Sequence, residues 1–292
     1  MTTNRKPLLS FLLLTFALSS IFYFLIIKAG HLNAGKGLYV LGLMWCPGLS
    51  GIITRLLFKQ STVPMGWRWG KTRYQAAAYL IPVGYATFGY MLVWLTGMGA
   101  FYNPKFIASL PGPLAAKPAW LAMTLYVVIL AMAGMVSSCF SALGEEIGWR
   151  GFLVPNLAQT NSFTRTAVIS GLIWSVWHYP ILIFADYNSG TPTWYGLSCF
   201  TVMVVSIAVI FAWFRLKSGS LWTGMFLHAS HNAFIQGFFD PVTRDTGHTR
   251  YFIGEFGVVV PLVAAALAFY FWRRRSELAP VNIPAAHSAQ AG

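Results

Sequence analysis

Acidic residues are nearly missing from this chain. Asp and Glu number 7 among 292 residues, and charged residues of all kinds make up 9%. A soluble domain carries roughly 25%, so a chain this poor in charge cannot clothe a water-facing surface. Cysteine is scarce as well. Cys46, Cys139 and Cys199 are odd in number and sit inside apolar runs, which excludes a disulfide framework and leaves them as small buried hydrophobes. There is no glycine-rich phosphate loop, no internal repeat and no sign of a second domain. The 20 basic residues give a net charge of +13, but they fall in short clusters between apolar runs. That distribution excludes a nucleic-acid-binding face.

What the chain has in quantity is apolar and aromatic surface: 57% hydrophobic residues, 16% aromatic residues and 12 Trp. A bilayer core needs about 20 mostly apolar residues per helix. Such runs lie near 8–27, 37–58, 74–96, 119–144, 166–185, 196–214, 219–238 and 252–272. The expected fold is an all-α polytopic transmembrane bundle of about eight helices. Residues 1–275 form a single transmembrane domain with its motif core near 130–236, and 276–292 form a disordered cytoplasmic tail. The first run follows Arg5 and Lys6, is longer than a signal-peptide core and precedes no A-x-A-like site, so it reads as an uncleaved anchor. With eight spans, one side of the membrane carries 14 of the 20 Lys and Arg and the other carries 6. That bias places both termini in the cytoplasm of a multi-pass cell (inner) membrane protein. The segment 59–73, with Trp67 and Trp69, reads as interfacial, and the proline-rich 97–118 as an external loop.

Ionisable groups at membrane depth are expensive and mark function by default. Three runs carry them: Gly144-Glu145-Glu146-Ile147-Gly148-Trp149-Arg150, Trp174-Ser175-Val176-Trp177-His178 and His228-Ala229-Ser230-His231-Asn232. Glu146 and Arg150 stand four apart in the order that favours an ion pair on one helix face. Glu145 points about 100° away around the helix, and it has no local basic partner. His228 and Asn232 project together, one turn apart. If Pro155 stops its helix, Glu145 lies roughly 14 Å from the cytoplasmic end, His228 about 14 Å in and His178 about 20 Å in. Three segments thus deliver polar groups to a similar depth. A carboxylate can take a proton from water, an imidazole can hold that water, and a His–Asn turn can donate to an oxyanion. Glu145, His178 and His228 can equally be read as ligands of a divalent metal such as zinc, and metal-free catalysis stays open beside it.

At these residues the sequence resembles the CAAX prenyl protease and bacteriocin-processing family of intramembrane endopeptidases. The shared patterns are Glu-Glu-x-x-x-Arg at Glu145–Arg150, Phe-x-x-x-His at Trp174–His178, and His-x-x-x-Asn at His228–Asn232. The stretch Arg215 to Trp222 before the last pattern is also typical. The resemblance covers about 130–236 and departs from the family at Trp174, where Phe is usual. It implies a membrane-embedded (metallo)endopeptidase open to the cytoplasm. Glu145 and His178 would activate water, His228 and Asn232 would stabilise the oxyanion, and Glu146 with Arg150 would support the set. The partners it implies are a peptide or protein substrate, membrane-associated or CAAX-like, and the lipid bilayer. The compact chain suggests a prokaryotic member.

Blander readings stand beside each of these. Glu146–Arg150 is as good a structural ion pair as a catalytic element, and His231 reads as packing or support beside the site. His31, His248 and His287 fall in solvated segments, and Asp186, Asp240, Asp245 and Glu255 read as wetted charges at the external side. The rival functions are a proton-coupled transporter, against which the lack of related halves counts, and a non-catalytic scaffold or immunity factor on the same fold.

Overall fold

The computed structural model describes residues 5–278. Apolar sequence with no water to satisfy the backbone leaves the helix as the economical solution inside a bilayer, and the described residues are overwhelmingly helical. The helices are α1 Lys6–Ala29, α2 Leu38–Leu57, α3 Thr72–Leu95, the short α4 Pro104–Ser109 and α5 Gly112–Ala115, α6 Ala119–Ala158, α7 Phe163–Phe184, α8 Thr193–Ser218, α9 222–242 and α10 Val259–Arg273. Six of them (α1, α3, α6, α7, α8 and the helix containing α2) are long and apolar enough to cross a membrane. The chain is a helical membrane bundle. The expected seventh run is the continuous helix α9. The expected eighth is shorter than its apolar run, because 252–258 is not helical and Gly254 turns there with φ 66°.

Burial, not hydropathy, marks the central helix. Of the most apolar window of α8, 67% is buried, against 11% for α6. α8 packs on α7 and α10, α9 lies between α3 and α6, and α2 lies along α6. The contact of α2 with α6 is backbone to backbone. A Cβ on Gly148 would stand 2.5 Å from the Pro47 carbonyl carbon, and one on Gly144 would stand 2.7 Å from the Trp45 ring. Gly144 and Gly148 are one small-xxx-small step apart, the spacing that lets membrane helices approach closely.

α6 runs straight past the residue expected to end it. Two π-helical stretches, Leu130–Gly134 and Ile147–Leu153, interrupt its α-helical ladder. The second leaves Pro155 in the first turn of the next α segment, where a missing N–H costs little. A third π stretch, Asn232–Phe239, lies in α9. Wide turns of this kind gather at functional sites.

Two connections are more ordered than a loop reading implies. The proline-rich stretch forms α4, α5 and the strand β1 Ala100–Phe101, which pairs antiparallel with β2 Thr243–Arg244. The 58–71 connection wedges fully buried Met65 into the core and binds the α8–α9 turn. Arg215 donates to the Pro64 carbonyl at 2.9 Å, Leu221 N–H to the Gly66 carbonyl at 2.8 Å and Trp222 Nε1 to the Trp67 carbonyl at 2.7 Å. Of the tail, Arg274–Glu277 is a 3-10 turn in which Arg274 and Lys217 pair with Glu277. The rest, with His287, lies outside the described residues.

Candidate active site

α6 supplies two adjacent carboxylates with separate surroundings. Glu146 is fully buried. Its Oε1 accepts from Arg150 at 2.9 Å and faces His228 Nδ1 at 3.0 Å. The Arg150 guanidinium lies 4.1 Å from the centre of the Trp174 ring and 4.4 Å from that of Phe211. Its charge is thus met by a carboxylate and by two neighbouring aromatic rings. The expected ion pair is present, and it also holds the imidazole of His228.

Glu145 turns the other way. Its Oε2 accepts two indole N–H bonds, from Trp174 at 2.7 Å and Trp149 at 3.1 Å. No hydrogen bond among the described residues runs to its Oε1. Two donors on one oxygen fix the carboxylate's orientation and leave the other oxygen for a ligand. The tryptophan at 174 is therefore more than a packing variant of phenylalanine, since Phe has no donor to offer.

His178, one turn along α7 from Trp174, places Nδ1 2.9 Å from the Trp174 carbonyl. A carbonyl only accepts, so Nδ1 carries the proton and Nε2 of the neutral ring is the acceptor. Its ring is gripped edge-on by Trp177 and Phe200. Trp177 donates to Ser19 at 2.8 Å, and Tyr23 donates to the Trp177 carbonyl, so α1 braces this turn.

Glu145, His178, His228 and Asn232 all line one cavity of about 140 Å³. The shared depth expected from helical spacing thus corresponds to a shared space. Its walls also include His231, Tyr187 and Glu255. Glu255 is the clearest departure from expectation. It is not a wetted external charge but is buried, accepting from Tyr187 Oη at 2.7 Å and lying 2.7 Å from His231 Nε2. The non-helical 252–258 segment folds it inward. Asp240 is half-buried and takes the Tyr90 hydroxyl. Asp186 and Asp245 are exposed, as are His31 and His248. Backbone N–H groups of Gly247 and Thr249 hold the Asp245 carboxyl below its usual range.

The cavity extends from Glu145 toward Leu32, Tyr187 and Glu255. These sit in connections at the end of the bundle away from 58–71, where Trp149, Arg150 and Phe152 fill the interior.

Among the described residues, no three His, Cys, Asp or Glu side chains are grouped so as to hold a metal ion. Glu145 Oε2, His178 Nδ1 and His228 Nδ1 have protein partners, while no hydrogen bond among the described residues runs to Glu145 Oε1, His178 Nε2 or His228 Nε2. The residues as arranged do not form a metal cage.

Comparison with known proteins falls on this same stretch. Residues 118–234 match the model of a family described as Type II CAAX prenyl endopeptidase Rce1-like. The chain is also similar to a CAAX prenyl protease 2 of Methanococcus maripaludis, at 30% identity over 137 residues. That alignment takes in 44% of this chain and 46% of the relative, so the chain spans about half the length of the curated relative it matches. The matched segment contains all three motifs. Glu255 and the α1 brace lie outside it.

Proposed function

We propose that this protein is an intramembrane endopeptidase that hydrolyses peptide bonds of membrane-associated or CAAX-like substrates. One observation carries the reading: Glu145, His178, His228 and Asn232, from three helices, face a single cavity. Similarity of the motif-bearing segment to CAAX-type proteases supports it.

In this reading a water sits between Glu145 Oε1 and His178 Nε2. Glu145 takes its proton as the oxygen attacks the carbonyl carbon, and His178 holds the water's second hydrogen. The carbonyl oxygen becomes an oxyanion, to which the Asn232 amide donates. His228 donates through Nε2 when its ring is an imidazolium, a charge that Glu146 balances through Nδ1. Glu146 and Arg150 thus position His228 rather than touch substrate. The proton on Glu145 then passes to the departing amine, and the C–N bond breaks. No step needs a metal. We read the Lys/Arg-rich end as cytoplasmic, in a cell membrane, and substrate as entering from the bilayer or the opposite end.

The test is a comparison of cells expressing the wild type and Glu145→Gln, scored by the new peptide ends each produces, with the purified proteins assayed on recovered sequences. The wild type should generate ends that the variant does not, at equal folded protein. Identical sets of ends, or undiminished cleavage by the variant, would overturn the proposal.

A further inference from the structure

The far wall of the cavity holds titratable groups that the hydrolytic reading leaves unused. Glu255 is 7% exposed and receives His231 on one oxygen and Tyr187 on the other. The opposite nitrogen of His231 meets the hydroxyl of buried Tyr85, which makes no other side-chain hydrogen bond among the described residues. The proton positions follow. With Tyr85 as the donor, its hydroxyl having no other partner among the described residues, Nδ1 accepts and Nε2 carries the proton given to Glu255. His231 is then a neutral ring, and Glu255 is a carboxylate whose two donors are both neutral.

No Lys or Arg among the described residues forms an ion pair with Glu255. None lines the cavity, whose other carboxylate, Glu145, is met by indole N–H groups alone. A buried anion with no counter-charge is expensive, and two of the roughly four acceptor positions on this carboxylate stay free. The cavity that Glu255 lines is also lined by Leu32, Val40, Leu43 and Ile181, apolar side chains suited to a methylene stem that ends in a charge.

We propose that Glu255 forms a subsite for a cationic group of the ligand, an ammonium or guanidinium delivered by a lysine or arginine side chain or by a peptide amino terminus. That the ligand is a peptide rests on the endopeptidase reading; the sign of the charge does not.

The experiment measures binding and turnover separately. Glu145→Gln protein in nanodiscs is titrated with fluorescent apolar nonapeptides carrying lysine, norleucine or glutamate at successive positions, each with a free or an acetylated amino terminus. At one position lysine should bind roughly tenfold or more tighter than norleucine, and glutamate weaker still. Dependence on acetylation instead would identify the amino terminus as the cation. Adding Glu255→Gln, which keeps an oxygen for Tyr187, should abolish the preference and leave the norleucine peptide bound as before. Tyr187→Phe, which keeps the charge, should preserve it. Equal binding of the lysine, norleucine and glutamate peptides regardless of acetylation, no binding at all, or a preference that survives Glu255→Gln overturns the proposal. The glutamate arm needs no change at Glu255, so it decides even if that variant does not fold. A protein that binds the cationic peptide tightly, and whose wild type cleaves none of the series, supports the subsite and counts against the endopeptidase reading.

Discussion

Gly148→Ala is a demanding test of how the site is carried, because it adds a single methyl group that touches no catalytic atom. The new Cβ would lie 2.5 Å from the Pro47 carbonyl carbon, where ordinary contact begins at 3.4 Å. The shortfall is about 0.9 Å, and the obstacle is backbone, so α2 and α6 must separate. Overpacking of this kind costs roughly 1–3 kcal/mol, and the upper end applies where the neighbour cannot rotate away. Alanine returns about 1 kcal/mol through its better helix propensity. The net expectation is a loss of about 2 kcal/mol, or roughly 4–8 °C in thermal midpoint. Turnover should suffer more than stability. Glu145 lies three residues from the clash, and a displacement near 1 Å can cost roughly a hundredfold in rate. The assay pairs thermal unfolding in detergent with cleavage of a fluorogenic peptide. Gly84→Ala serves as the control, since a Cβ there meets nothing within 4 Å. If Gly148→Ala is as stable and as active as Gly84→Ala, the close approach of α2 and α6 is not what seats the carboxylate.

Further outcomes follow from the same geometry. Arg150→Met strands a buried carboxylate and should cost roughly 3–5 kcal/mol, most of it recovered in Glu146→Gln/Arg150→Met; a double variant as unstable as the single would refute the charge argument. Dialysis against EDTA or 1,10-phenanthroline should leave peptide cleavage unchanged, and a loss restored by added zinc would show that the chain's own residues are not sufficient. In a background lacking native cysteines, Ser61→Cys and Thr246→Cys should react with impermeant maleimide from opposite sides of the membrane, the first from the cytoplasm; labelling from one side would break the topology. Substrate presented only from the Thr246 side or from within the bilayer should be cut, and cleavage restricted to the Ser61 side would misplace the cavity mouth.

Much of this was legible because hydrophobicity and helical period are local properties. The apolar runs located the helices of the bundle, and the spacing of Glu146 with Arg150 and of His228 with Asn232 gave faces that the structure brings together. What stayed hidden depends on partners distant in sequence. Glu255 looked like a solvated charge because a non-helical segment has no period from which burial can be read, and only tertiary packing turns it toward His231. At Trp174 the sequence shows only a departure from Phe, although a donor on an aromatic ring and a carboxylate with no basic partner were both there to be paired. Pro155 seemed a helix stop because proline rules assume an uninterrupted α ladder, which the π-helical stretch resets. The glycines of α6 were visible as letters, but their purpose appears only with α2 lying against them.

The length of α6 has a consequence for how the protein sits in lipid. Its 40 residues make a rod about 60 Å long, and the hydrocarbon slab is about 30 Å thick. Even leaning at about 40°, the steep end of what membrane helices adopt, the rod would rise about 46 Å and overshoot the slab by about 16 Å. Either the surrounding lipid swells to meet it, or its leading turns stand in the headgroups like a post above a floor, with α4 and α5 gathered at their foot.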